Sequence, residues 1–402
     1  MIVYDHTRQP LELGAALFEG GEGVICAVSV QPDRLAKLYK PGKRLGKEAK
    51  LAWMVANPPA DPGRSGEQAA IAWPEALLYE GSGRFVGYLM PYISNAKTLL
   101  HAFNPRLRAQ TLPAFDMKYL HRAARNLAAA LRNLHTGDYV IGDLNETNVL
   151  VAQTALVTVI DADSFQVKEK HAGQITFYPC PVGRPEYTPP ELQGRYLLNE
   201  VRQPEQDAFA LAVLVFQLLM DGSHPFRSAW LGRGDPPPVE EKIIHGWFPY
   251  TSLPRGPVRS PPGLSLDRLH PPLPDLMRRC FIDGHDNPRR RPSAAEWESA
   301  LKDVEKAFST CPNGHITIPP INQNPSRAAQ HMRASSSSAV SPLPTSPGMV
   351  VCPRCGTFNH NQRAYCLKCA ARLHPLAACP HCGQLTAQAT QVKYCEACGR
   401  RL

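Results

Sequence analysis

The first hundred residues alternate between apolar and polar positions at strand spacing; the next two hundred shift towards helical spacing. Residues 11–39 read LELGAALFEGGEGVICAVSVQPDRLAKLY. Apolar runs flank the glycines Gly20, Gly21 and Gly23, which predicts a hairpin followed by a strand carrying Ala36, Lys37 and Leu38. In PGKRLGKEAKLAWMVANPP, Glu48, Leu51, Ala52 and Val55 share one side of a predicted short helix, and N-P-P ends it. IAWPEALLY and RFVGYLMPYI read as two further strands. Residues 117–135, MKYLHRAARNLAAALRNLH, predict a strong amphipathic helix. Two short apolar runs then follow, Val149 to Ala152 and Leu156 to Ile160, with a turn between them. DAFALAVLVFQLLMDGSHPF opens on Asp207 and predicts a buried helix. A Pro-rich insert covers roughly residues 231–274 and has no readable role. Residues 318–349 are rich in Pro, Ser, Asn and Ala and read as a disordered linker.

Composition narrows the class. The chain has 402 residues, of which 8% are aromatic and 20% charged, values of a globular protein. The 40 prolines are about twice the usual share of ~5% and fit long loops or linkers. No run approaches the ~20 apolar residues of a membrane span, and MIVYDHTRQP lacks a signal peptide's apolar segment. A cytoplasmic location with no membrane partner is therefore expected. The net charge is +9, but residues 309–402 hold nine Lys/Arg and one acid, so residues 1–308 carry only +1. Eight thiolates on two zinc ions would lower the tail to about +4, too little to carry a nucleic-acid reading.

Candidate chemistry concentrates in residues 141–165, IGDLNETNVLVAQTALVTVIDADSF. Asp143 and Asn148 lie five residues apart in a polar loop, and Asp161 follows the second apolar run. A hairpin would bring Asn148 and Asp161 together as two hard oxygen ligands and leave Asp143 as a spare carboxylate. Phosphoryl transfer uses such a set: oxygens for Mg²⁺ (or Mn²⁺), and a carboxylate to orient the attacking hydroxyl. Taken alone, the stretch is equally a β-hairpin with solvated turn acids. The glycines add backbone N–H groups that approach phosphate closely, and Lys37 adds a point charge.

Together these segments resemble the protein kinase fold over residues 10–307. Gly20 and Gly23 match the second and third glycines of its G-x-G-x-x-G loop, Ile25 the following valine and Lys37 the V-A-I-K lysine; Phe18 stands at the first glycine position. Asp143 matches the catalytic-loop aspartate, Asn148 the asparagine five residues on, and Asp161 the D-F-G aspartate. GRPEYTPPEL resembles the segment that closes the activation loop, with Pro190 and Glu191 as its P-E. The resemblance implies an α+β, bilobal fold: an N-lobe of antiparallel sheet plus helix C over residues 1–94, and a mostly helical C-lobe over 95–308. It implies that Glu48 pairs with Lys37 and that Met90 is the gatekeeper. Backbone groups of Pro91 and Ile93 would meet adenine. Asn148 and Asp161 would hold Mg²⁺, Asp207 would support the catalytic loop, and Arg291 would pair with Glu191. Three positions depart from the family. Ile141-Gly142 replaces His-Arg, so a phosphorylated activation loop has no obvious receiver; Asn145 replaces a lysine that meets the γ-phosphate; Asp163 replaces the D-F-G glycine.

Nine of the 12 cysteines lie between Cys311 and Cys398. Cys352, Cys355, Cys366 and Cys369 form C-x₂-C-x₁₀-C-x₂-C, and Cys379, Cys382, Cys395 and Cys398 form C-x₂-C-x₁₂-C-x₂-C. Each set satisfies one tetrahedral Zn²⁺, so two structural zinc ions and two zinc ribbons are expected, over 351–373 and 378–402, after a linker at 309–350. Cys311 and His315 form a lone half-site, read as a structural remnant. The whole resembles a bacterial protein-kinase-like family with C-terminal zinc ribbons, whose members associate with von Willebrand A domain proteins and metal-dependent protein phosphatases. Three functions compete: an ATP-dependent Ser/Thr kinase acting on a protein substrate in bacterial signalling, a nucleotide-binding pseudokinase scaffold, and a small-molecule kinase of the aminoglycoside phosphotransferase type. The segment ending in Pro190-Glu191, the Asp207 helix and the Arg291-Pro292-Ser293 segment favour the first over the third. The intact Lys37, Asp143, Asn148 and Asp161 favour it over the second. For the ribbons, with few aromatics, protein docking is favoured over nucleic-acid binding.

Overall fold

The computed structural model describes residues 1–61, 68–171 and 173–310, together with short strands at 316–317, 349–351, 358–360, 376–378 and 385–387. The chain divides into two compact units, Met1–Ile321 and Asn322–Leu402. The first is a mixed α+β arrangement consistent with a kinase-like fold.

Its N-terminal part is an antiparallel sheet of β1 (Ile2–Tyr4), β2 (Pro10–Glu19), β3 (Gly23–Val28), β4 (Arg34–Tyr39), β5 (Ala76–Tyr79) and β6 (Phe85–Pro91), with α1 (Lys47–Ala56) against it. The spatial order is β1-β2-β3-β4-β6-β5, and a Tyr4–Tyr79 pairing between β1 and β5 closes the sheet on itself. One face of the sheet encloses a small apolar core that includes Val3, Leu13, Val28, Leu78 and Val86. The predicted strand from Ile71 is shorter than its apolar run, because Ile71 instead bridges Val159 and Trp73 packs edge-on to Tyr139.

The helix α1 presents a different face from the one its sequence predicts. Lys50, Leu51 and Met54 are buried, while Glu48 and Ala52 are exposed. The inward stripe is thus 47, 50, 51 and 54, one residue earlier than the predicted 48, 51, 52 and 55. Met54 is the larger apolar group and goes fully inside, and the two lysines run their aliphatic stems along the same side.

After β6 come β7 (Ala96–Thr98), α2 (Leu99–Phe103), α3 (Pro105–Thr111) and α4 (Met117–Thr136). Asp116 caps α4 by accepting from the Tyr119 N–H at 3.0 Å. The hairpin of β8 (Val149–Ala152) and β9 (Val157–Val159) joins β7 in a three-stranded sheet. The segment then runs through the hairpin of β10 (Val167–His171) and β11 (Gln174–Tyr178). The helix α5 (Pro204–Leu219) is buried from Asp207 to Leu219, which explains why its sequence is apolar all round rather than on one stripe. The last helix among the described residues, Ala294–Ala307, begins with a Ser293–Glu296 capping box and packs on α4, tied by Arg132–Glu298 (2.6 Å) and Arg122–Glu305 (3.0 Å). The Pro-rich insert is folded onto this helical core: Ile243, Phe248, Tyr250, Leu266 and Leu269 are all buried in it.

In the second unit the described strands form two antiparallel hairpins, Met349–Val351 with Phe358–His360 and Leu376–Ala378 with Leu385–Ala387. All eight predicted zinc ligands (Cys352, Cys355, Cys366, Cys369, Cys379, Cys382, Cys395 and Cys398) lie outside the described residues, as do Cys311 and His315. Among the described residues no helix is long and apolar enough to cross a membrane.

Candidate active site

Four elements converge on one cleft of about 340 Å³. Gly20 and Gly21 enter from the β2–β3 turn, Gly23, Ile25 and Lys37 from the sheet, Lys47 from α1, and Asp143 and Asp161 from beyond β6. Gly23 also has a packing reason to be glycine: a Cβ there would lie 2.1 Å from the Leu38 carbonyl oxygen.

The Asp143 loop is held from below. Asp207, buried at the start of α5, accepts from the Ile141 N–H at 2.7 Å and the Gly142 N–H at 2.8 Å, and His135 of α4 lies 3.1 Å from the same carboxylate. Gly142 has φ +75°, and a Cβ there would meet Arg202 Nη1 at 2.5 Å and Cys180 Sγ at 2.8 Å, so only glycine fits. The Arg202 guanidinium fills that space. It is buried and donates to the carbonyls of Gly142, Val182 (2.7 Å) and Cys180 (3.2 Å), pinning the loop to the segment that follows β11. Nothing in the sequence around Arg202 marks this role.

Asp143 accepts from Asn145 at 3.0 Å and Asn148 at 3.2 Å, and its backbone carbonyl accepts from both. Burial raises the Asp143 pKa above the usual value, and the Asp161 charge adds to the rise; Asn145 and Asn148 oppose it through hydrogen bonds and Arg184 through its charge. The β8–β9 register places Asn148 opposite Ile160, whose N–H donates to the Asn148 carbonyl at 2.9 Å. Asp161 follows immediately, in a left-handed conformation with φ +62°.

The Lys37–Glu48 pair expected from the resemblance is replaced by another. Lys37 donates to Asp161 Oδ1 at 2.7 Å and Asp163 Oδ1 at 2.6 Å, whereas Glu48 is exposed. The one-residue offset of α1 carries Glu48 out of the site, towards the Tyr79 hydroxyl. Asp163 is buried and takes the vacated role. Besides Lys37 it accepts from Tyr88 OH at 2.8 Å and Tyr39 OH at 2.5 Å, its backbone carbonyl accepts from Lys50 at 2.8 Å, and Lys47 lies 3.8 Å away. Burial alone would raise the Asp163 pKa, but Lys37 and Lys47 and the hydrogen bonds outweigh it and hold the carboxyl below the usual range. Lys50 is pushed down to about 8, by burial first and then by Lys47. Asp163 is buried and does not line the cleft.

Met90 is buried, and it, Pro91 and Ile93 do not line the cleft described above. Pro91 borders a separate cavity of about 270 Å³, with Val55, Ile71 and Trp73. Further from the cleft, Arg291 donates to both Glu191 oxygens at 2.7 and 2.6 Å from a fully buried side chain. This joins the Pro190-Glu191 turn to the start of the last helix.

No protein-family model matches this chain. It is 30% identical over 313 residues to a protein described as "Protein kinase YegI" of Escherichia coli (strain K12), a match covering 77% of this chain and 47% of that protein. The protein of the same description from Escherichia coli O157:H7 is 29% identical over 313 residues, with the same shares. The chain spans about half the length of these curated relatives. The likeness is thus to proteins described as protein kinases, over a stretch that covers 77% of this chain.

Proposed function

We propose that the chain is an ATP·Mg²⁺-dependent protein kinase that transfers the γ-phosphate to a serine or threonine hydroxyl. The observation that carries the reading is the convergence of Lys37, Asp143 and Asp161 on the glycine-lined cleft, with Asn148 hydrogen-bonded to Asp143. Donor chemistry fits a magnesium ion. The Asn148 amide nitrogen is committed to Asp143, which leaves its side-chain oxygen as an acceptor, and Asp161 keeps Oδ2 while Oδ1 accepts from Lys37. Two such oxygens plus substrate phosphates suffice for Mg²⁺, which seldom takes an all-protein cage.

When bound, Mg²⁺ neutralises charge on the β- and γ-phosphates. Lys37 contributes a fixed positive charge, held in place by Asp163 and both tyrosines. Asp143 orients the acceptor hydroxyl and takes its proton; the raised pKa makes it a better base than a solvated carboxylate. Asp207 and Arg202 keep its loop from moving. The Arg202 tie suits a segment that needs no phosphate to be ordered, in keeping with the lack of an arginine before Asp143.

The Glu191–Arg291 pair and the buried Asp207 support a protein substrate over a small-molecule one. The tail cysteines are proposed to hold two structural zinc ions in ribbons that dock a protein partner. A von Willebrand A domain protein and a metal-dependent phosphatase are the partners the family resemblance suggests. A radiolabelled-ATP assay on the purified chain tests the activity, with a mixture of candidate proteins as acceptors. Nucleotide binding with no transfer to any acceptor or to the chain itself would favour the scaffold reading instead.

A further inference from the structure

The one-residue offset of α1 removes a glutamate from the cleft and brings a lysine into it. Lys47 lines the same cavity as Gly20, Gly21, Lys37, Asp143 and Asp161. Its side chain is 21% exposed, and among the described residues its one hydrogen bond goes to Glu22 Oε2, at 3.3 Å, in the glycine turn. Glu22 is about half exposed, so that pair is weakly held. The 3.8 Å separation from Asp163 is a charge contact, too long for a hydrogen bond. The Lys47 Nζ also lies 5.3 Å from the centroid of the Tyr39 ring, so among the described residues two of its three ammonium hydrogens make no hydrogen bond to a protein acceptor.

Lys37, in contrast, is already bound to two carboxylates. The charged side chains lining the cavity are Glu22, Asp143 and Asp161 against Lys37 and Lys47, a balance of −1; without Lys47 it would be −2. A triphosphate entering so acidic a cleft needs a cation that is free to meet it. Asn145 provides none: it is buried, and its side chain is spent on Asp143 and Thr147. We propose that Lys47 is a second phosphate-binding residue of this cleft, and that Glu22 is a built-in carboxylate which a nucleotide phosphate displaces from it. This deepens the nucleotide-dependent reading above and rests on it. The exchange costs little, because an exposed ion pair gives way to a charge-assisted contact with phosphate. It also couples the glycine turn to occupancy, since Glu22 is released when phosphate arrives.

The test is calorimetric titration of the full chain with Mg·ATP and, separately, with adenosine, which has no phosphate. The variants are Lys47→Met, Lys47→Arg, Glu22→Gln and the Lys47→Met/Glu22→Gln double. Lys47→Met should weaken Mg·ATP binding by about tenfold or more and leave adenosine unchanged, and Lys47→Arg should restore most of the loss. Glu22→Gln should tighten Mg·ATP by roughly two- to fivefold, and that gain should vanish in the double variant. Lys47 is part-exposed, so urea melting of each variant should stay close to that of the unmodified chain. Unchanged Mg·ATP affinity in Lys47→Met, or an equal loss for adenosine, overturns the assignment. So does a Glu22→Gln gain that persists without Lys47. An unmodified chain that binds neither ligand overturns the nucleotide-dependent reading itself; one that binds both, with Lys47→Met indifferent, overturns only the role of Lys47.

Discussion

Replacing Asp163 with alanine should destabilise the fold far more than replacing Glu48, the residue that the family resemblance puts in the same role. The Asp163 side chain is 1% exposed. Its loss leaves Lys37, itself 11% exposed, with Asp161 alone, and removing one partner of a buried pair costs about 3–5 kcal/mol. It also strands the hydroxyls of Tyr39 and Tyr88, whose residues are 2% and 0% exposed. Each buried, unpaired hydroxyl costs about 1–3 kcal/mol. These losses share one cluster and do not add fully, so the expected total for Asp163→Ala is about 3–5 kcal/mol. Glu48→Ala removes an exposed group and should cost under about 0.5 kcal/mol. Urea unfolding at neutral pH, followed by circular dichroism, measures both. The pH dependence gives an independent sign. The folded Asp163 pKa lies below its ordinary 3.8, so its stabilisation is present above that value and is lost as pH falls below it. Asp163→Asn should lack this component of acid unfolding. A cost below about 1 kcal/mol for Asp163→Ala, or an equal cost for Glu48→Ala, would refute the assignment of Asp163 as the partner of Lys37.

Other outcomes follow from the same contacts. Arg202→Met leaves the carbonyls of Gly142, Cys180 and Val182 without their donor; it should cost about 2–4 kcal/mol and speed chymotryptic cleavage at Phe177 and Tyr178. If Asp143 acts as the base, kcat/KM should fall on the acid side with a pKa above the ordinary 3.8, because burial raises it; an acid limb at or below that value would contradict the role. Atomic absorption should find about two zinc per chain, and a value near zero would sink the ribbon assignment.

Much of this arrangement was legible in the sequence because it rests on spacing. The five-residue interval from Asp143 to Asn148, and a hairpin long enough to return to it, fix where Asp161 emerges. The helices α4 and α5 were readable because a strong stripe and an all-apolar run each admit one solution. The face of α1 was not. Its ten residues carry a weak pattern, and glutamate and lysine are equally plausible at a helix start on periodicity alone. Which of them turns inward was decided by Met54 entering the core and by a carboxylate, Asp163, already waiting there for cations. The family resemblance marked Asp163 as an irregularity beside the expected metal ligands; its buried contacts with Lys37, Tyr39 and Tyr88 make it the partner of Lys37. Arg202 was silent for a different reason. Its partners are backbone carbonyls distant in sequence, and no side-chain motif records such contacts.

The most direct test of the account is phosphoryl transfer by the purified full chain, using radiolabelled ATP with Mg²⁺ and an offered protein mixture. The account predicts label on serine or threonine in the unmodified chain's reaction, and none with Asp161→Ala or Asp143→Asn although both remain folded. Label that persists in both variants, or none from an unmodified chain that binds Mg·ATP, would contradict it.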